Sequence, residues 1–200
     1  MIKEIPMLFS TPMVQAIIEG RKTQTRREIK NRHFLACLQN PAENGLINLN
    51  NACPYGEPND LIWVRETWGY DASGNDILFK ATHNPECLWG SWKPSIHMPK
   101  KFARIWLEVV SIKVERLQDI SEPDAIKEGI EPTATYDSGE GVYPGRFYKN
   151  YLPHGYMEVS ARHSFQSLWQ SINGLESWCA NPWVWVVEFR VLSTNGKPDK

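Results

Sequence analysis

Hydrophobic positions along the chain switch between helical spacing and residue-by-residue alternation. In "STPMVQAIIEG" Ser10 or Thr11 can cap, Pro12 suits a first turn and Gly20 stops the run. Met13, Ala16 and Ile17 share a face, which predicts a short helix packed on a sheet. The following "RKTQTRREI" reads as a helix exit into an extended or turning segment, because Thr23 and Thr25 are poor helix residues. Residues 31–59 are rich in Asn and Pro without a period, and read as irregular. The turn "YGEPND" then delivers the chain into "LIWVRETW", a clear strand. Residues 70–100 form a long excursion with a short strand at "DILFKAT". In "ARIWLEVVSIKVERL" Ile105, Leu107 and Val109 alternate, and the phase change at Val109-Val110 predicts a bend or bulge.

Further on, "SEPDAIKEGI" predicts a compact helix with Ser121 as cap, Asp124 completing a capping box and Gly129 as terminator. Residues 131–158, rich in Gly, Pro and Tyr, read as an insertion loop. "SARHSFQSLWQSING" places Phe165, Leu168, Trp169 and Ile172 at helical spacing before Gly174. "WVWVVEFRVL" is a strand with Trp183, Trp185, Val187 and Phe189 on one face. Short helices scattered among strands, without a βαβ rhythm or internal repeat, predict an α+β fold. At 200 residues one domain, 1–200, is the simplest expectation, long enough for a core without disulfides.

Composition changes this picture in two places. Nine tryptophans are many for this length, and some should be core while others stack on a ligand. The formal net charge of −1 argues against a strongly bound duplex partner, yet it hides asymmetry. Arg21, Lys22, Arg26, Arg27, Lys30 and Arg32 face one acid, Glu28, and "WKPSIHMPKKFAR" carries Lys93, Lys100, Lys101 and Arg104 with none. The acids gather around residues 115 to 140. Basic segments beside Trp89, Trp92, Phe102 and Trp106 fit a single-stranded nucleic-acid surface or a solvated face. Four scattered cysteines, no secretory signature and no membrane-length apolar run predict a cytoplasmic protein with reduced thiols and no membrane partner.

"EGRKTQTRR", "YGEPNDLIWVRETW", "WKPSIHMP", "DISEPDAIKEGI" and "NPWVWVVEF", in this order, resemble the ASCH domain. The resemblance implies a small mixed β-barrel of PUA-like type with short flanking helices, and insertions near 31–52, 70–90 and 131–158. It implies binding of RNA or a nucleotide-like ligand, and long members of this kind are frequent in phages and prophages. One bacterial branch hydrolyses acetylcytidine at the exocyclic nitrogen, and its catalytic lysine and threonine fall by motif on Lys22 and Thr25. Its glutamate falls on Glu128. In that reading Thr25 is the nucleophile, Lys22 a base whose pKa the neighbouring arginines depress, and Glu128 the acid for the leaving amine. Lys22 and Thr25 lie on one side only if the chain turns inside "KTQT".

Other constellations are weaker. His33 with Cys37, and His83 with Cys87, stand four apart without the close cysteine pairs of zinc modules, so neither metal nor cofactor is expected. Ser95, His97 and Glu66 suggest a triad but lack an oxyanion hole, and His97 is assigned to pocket lining or a core hydrogen bond. Arg65 or Glu66 reads a base edge or forms a structural ion pair. Trp68, Trp89 and Trp92 are the stacking candidates. The expected ligand-binding set is therefore Arg21, Arg26, Arg27, Arg65, Glu66, Trp68, Trp92, Lys93, His97 and Lys101. Three functions stay open: recognition of RNA, single-stranded nucleic acid or a modified nucleoside; hydrolysis of acetylcytidine; and binding of a host protein through the insertions.

Overall fold

The computed structural model describes residues 2–39, 52–137, 142–153 and 156–198. In chain order the elements are β1 (Glu4–Leu8), α1 (Thr11–Ile18), β2 (Gln24–Glu28), α2 (Arg32–Gln39), β3 (Leu61–Arg65), β4 (Trp68–Asp71) and β5 (Ile77–Phe79). They continue with β6 (Leu88–Lys93), β7 (Trp106–Arg116), α3 (Glu122–Lys127), β8 (Pro132–Asp137), β9 (Val142–Tyr148), α4 (Ala161–Asn173) and β10 (Trp183–Ser193). The fold is mixed α+β, as the pattern of short elements predicts. The chain divides into two units interleaved in sequence. One comprises Met1–Thr23, Cys53–Ile112 and Val187–Lys200, the other Gln24–Ala52 and Lys113–Val186.

In the first unit β1, β3, β7 and β10 lie side by side. β1 runs parallel to β3, from Glu4 opposite Leu61 to Leu8 opposite Arg65, and β3 is antiparallel to β7 with Ile62 opposite Leu107. A smaller antiparallel sheet, β5-β4-β6, stands on one tryptophan-rich cluster of Trp63, Trp68, Phe79, Met98, Ala103 and Trp106. α1 starts after Ser10 with a proline in its first turn; it buries Ala16 and Ile17 as its spacing predicts, while Val14 is buried and Met13 only half-buried. Asp60 ties the entry to β3: its carboxylate accepts from the N–H of Lys3 at 2.8 Å and of Glu57 at 3.0 Å.

In the second unit β7, β10 and β2 are neighbours, and β8 pairs with β9 as a hairpin. α3 packs against both α4 and β2. The core gathers Leu117, Ile120, Ala125, Ile130, Phe165, Trp169, Trp178, Val184 and Val186. Both helices begin as their sequences require, with Ser121 accepting from the N–H of Asp124 and Ser160 from that of His163. Glu122 joins them, because its carboxylate accepts from Ser160 Oγ and from the N–H groups of Ala161 and Arg162. Burial raises the Glu122 pKa, but the bonds from Ser160, Arg162 and Ala161 and the charge of His163 outweigh it and leave the group below its ordinary value.

β7 stays a strand through Val109 and Val110, and the irregularity expected there takes the form of a bulge on the facing segment: Val109 O accepts from Asn59 N–H and Val109 N–H donates to Asp60 O, both at 2.9 Å, with Asn59 at φ 76°. Two expectations change. Residues 32–39 are helical rather than irregular, because Asn31 Oδ1 accepts from the N–H of Phe34 and the Phe34 ring packs 4.8 Å from Trp185. The stretch read as an insertion loop at 131–158 contains the β8–β9 hairpin. The parts of the expected insertions that fall on 40–51, 138–141 and 154–155 lie outside the described residues.

Candidate functional site

Five polar or charged residues with almost no exposure fall on or beside two short elements of the basic and acidic segments. Lys22, Gln24, Thr25, Arg26 and Glu128 are 0%, 1%, 1%, 4% and 4% exposed. Burial of such groups is costly unless they are paired, so each must be accounted for. Lys22 belongs to the first unit, where its N–H donates to Ala16 O at 2.9 Å. Thr23 O accepts from Phe189 N–H at 2.9 Å. Residues 21–25 accordingly run extended, and the turn that the hydrolase reading requires inside "KTQT" does not form.

The second unit holds the other four. Along β2, Gln24 and Arg26 share one face and Thr25 takes the opposite one. The Arg26 side chain is fully buried and meets three carboxylates. Its Nη1 donates to Glu128 Oε1 at 3.1 Å and its Nη2 to Glu115 Oε2 at 3.1 Å, with Asp124 Oδ2 3.8 Å from Nη2. The guanidinium also lies 5.9 Å from the centroid of the Phe165 ring.

Local structure explains this convergence. α3 ends at Glu128, with Gly129 at φ 88° carrying the chain out of the helix. A carboxylate at a helix C-terminus opposes the dipole, and the Arg26 charge compensates it. Asp124 stands in the first turn of the same helix, where a negative charge is favoured. Glu115 comes from β7, and its other oxygen accepts from Lys113 Nζ at 3.1 Å. Arg26 thus draws together carboxylates from β7 and from both ends of α3, and Lys113 shares one of them. Arg26 Nε, and Gln24 Nε2 on the same strand face, are buried and have no hydrogen-bond partner among the described residues.

The remaining expected residues fall elsewhere. Arg27, also on β2, is half-buried. Arg21 is half-buried and pairs with Glu19 at 2.7 Å. Arg65 donates to Ile96 O and lies 5.5 Å from the Trp63 ring. Glu66 is buried and takes a bidentate pair from Arg104, Nε to Oε1 and Nη2 to Oε2, both at 2.9 Å. Trp68 is 5% exposed, so its faces are packed rather than presented. Its ring meets Tyr70 edge-on and Phe102 at a tilt. The Lys93 ammonium covers this group, 4.8 Å from Trp68 and 4.6 Å from Tyr70. Trp92 is half-buried, His97 is exposed, and exposed Lys101 lies 5.0 Å from the Phe102 ring.

Gln24, Glu115, Asp124 and Arg104 play parts that the sequence reading did not assign. The acids around residues 115 to 140 carried the relevant signal, since a buried arginine cluster needs counter-charge from somewhere. Among the described residues no group of three or more His, Cys, Asp or Glu side chains is arranged to hold a metal ion. Nor is any helix there long and apolar enough to cross a membrane.

Fold and cluster together define a mixed α+β protein built around a buried arginine and its carboxylates. Compared with known proteins, the chain matches no family model, no curated sequence and no solved structure.

Proposed function

We propose that the protein is an ASCH-type, PUA-like binding protein that recognises a pyrimidine nucleoside, free or within single-stranded RNA. One observation carries the reading: among the described residues Gln24 Nε2 is a buried donor without a partner, on the strand face that carries Arg26 and its three carboxylates. A pyrimidine supplies what this face needs. The ring carbonyl of a pyrimidine accepts from an amide such as Gln24, and where the base is cytosine its exocyclic amine donates to a carboxylate of Glu or Asp. An acylated cytosine keeps one N–H for the same purpose. The order of motifs along the chain supports the PUA-like assignment, and Lys22 enters the reading through that resemblance alone.

Calorimetry with cytidine, acetylcytidine and uridine, alongside detection of released cytidine, tests it. Saturable cytidine or acetylcytidine binding, weakened about tenfold or more by Gln24→Leu, is expected. Binding followed by turnover that Thr25→Ala abolishes would replace recognition with amide hydrolysis. Absence of binding to every nucleoside and to short single-stranded RNA would overturn the proposal.

A further inference from the structure

A second polar surface lies in the same unit, away from the residues used above. α4 turns its apolar side, Ala161, Phe165 and Trp169, into the core. His163, Gln166, Ser167 and Gln170 recur at the spacing of one helical stripe, and all four are polar. They line one wall of an open cleft of about 340 Å³ whose other wall is Asn150, Leu152 and Glu158.

The second wall is braced. Glu158 and Tyr148 exchange backbone hydrogen bonds at 2.7 and 2.8 Å, which fixes the strand position of Glu158. Asn150 Nδ2 donates to Glu158 Oε1 at 2.7 Å, while Asn150 Oδ1 accepts from Leu152 N–H at 2.8 Å. Helix and wall are tied by Tyr151 N–H to Ser167 Oγ at 3.0 Å and by Ser164 Oγ to Lys149 O at 2.5 Å. Gln170 donates through Nε2 to Leu175 O at 2.7 Å, which leaves its Oε1 as an acceptor. Among the described residues Glu158 Oε2 and both ends of the Gln166 amide have no protein partner.

The lining selects a ligand class by elimination. Among the described residues the lining holds no lysine or arginine, so it is not a phosphate site. Leu152 is its one aliphatic side chain, too little for an apolar ligand. Among the described residues one carboxylate and one imidazole line the cleft, too few for a metal site. What the cleft offers is a mixture of acceptors, at Glu158 Oε2 and Gln170 Oε1, with the donor-acceptor groups of Gln166 and His163. Hydroxyl groups both donate and accept. We infer that this cleft binds the vicinal diol of a small sugar, with the Glu158 carboxylate accepting from the diol and Gln166 bridging to its oxygens.

The inference does not depend on recognition of a pyrimidine, so it is tested with a ligand that has no base. Methyl β-ribofuranoside titrated into the intact protein, read from the His163 ring resonances, should give a saturable shift with a dissociation constant on the order of millimolar. Gln166→Ala removes a side chain that braces nothing and should weaken binding about tenfold. Glu158→Gln keeps the acceptor for Asn150 and should weaken it similarly. The 2-deoxy furanoside, lacking one hydroxyl of the pair, should bind several-fold less tightly. Absence of a saturable shift, equal binding of the deoxy sugar, or a shift produced by a simple alkylamine and not by the furanoside would overturn the assignment. An RNA oligonucleotide that binds while the furanoside does not would also count against it.

Discussion

Arg104→Met strands a carboxylate that has almost no water. The Glu66 side chain is 1% exposed, and both its oxygens are held by Arg104 at 2.9 Å. Removing one partner of a buried pair costs about 3–5 kcal/mol, because the remaining charge stays in a poor dielectric or must take up a proton. The guanidinium also lies 4.2 Å from the Phe79 ring and donates to Thr82 Oγ1 at 3.1 Å, so lost stacking adds about 0.5–1 kcal/mol. The opposite cut is milder. Glu66→Gln retains an acceptor, and the Arg104 side chain, 18% exposed, can take water, which limits the loss to about 1–2 kcal/mol. Methionine at both positions should return stability to within about 1 kcal/mol of the parent, since an apolar pair carries no stranded charge. Urea unfolding followed by tryptophan fluorescence reports each difference through its midpoint, provided the slope is unchanged. Equal losses for the two single variants, or a double variant as unstable as Arg104→Met, would refute this account.

Three further outcomes follow from other parts of the first unit. Hydrogen bonds from Lys100 and then Lys197 hold the Glu4 carboxyl down at about 2, from an ordinary 4.5. A depressed carboxylate contributes above its unfolded pKa, so the contribution is present above about pH 4.5 and lost as pH falls towards 2. Both lysines are half-exposed, which keeps it near 0.5–1 kcal/mol; Glu4→Gln should match the parent at pH 2 and fall short of it at pH 7. Gly56 sits at φ 99°, and a Cβ there would stand 2.6 Å from Ile5 Cδ1 and 3.1 Å from Asp60 Oδ2. Gly56→Ala should therefore cost about 1–3 kcal/mol in a thermal melt, and an unchanged melting temperature would contradict the strain. Burial pushes the Cys53 thiol up to about 11, whereas Cys87 and Cys179 are exposed. A disulfide reagent at about pH 8 should modify the exposed pair first and reach Cys53 only on unfolding, and early labelling of Cys53 would disprove its burial.

Elements whose causes are local were legible in the sequence. The cap at Ser121, the glycine stops at Gly129 and Gly174, and the burial of Ala16 and Ile17 on α1 all act within a few residues. Pairings made at long range were not. Arg26 meets Glu128 across 102 residues and Arg104 meets Glu66 across 38, and alternation gives each side chain a face but no partner. Trp68 was assigned to stacking because charge and loops surround it in sequence. In the fold Phe102 and Lys93 come from separate segments to cover it. α2 was missed for a different reason: asparagine-rich sequence reads as loop, although Asn31 is the residue that starts that helix.

The interleaving of the two units also has a consequence for biosynthesis. The chain passes from one unit to the other four times, at residues 23–24, 52–53, 112–113 and 186–187. A ribosome that has delivered everything up to Val186 has finished the second unit's residues but still owes the first unit its last segment. Within the first unit β7 must then wait without its sheet neighbour until the end of β10 emerges. Unpaired strand edges of this kind invite association with other chains. A stop codon shortly before residue 187 should thus yield an insoluble polypeptide rather than a smaller working one.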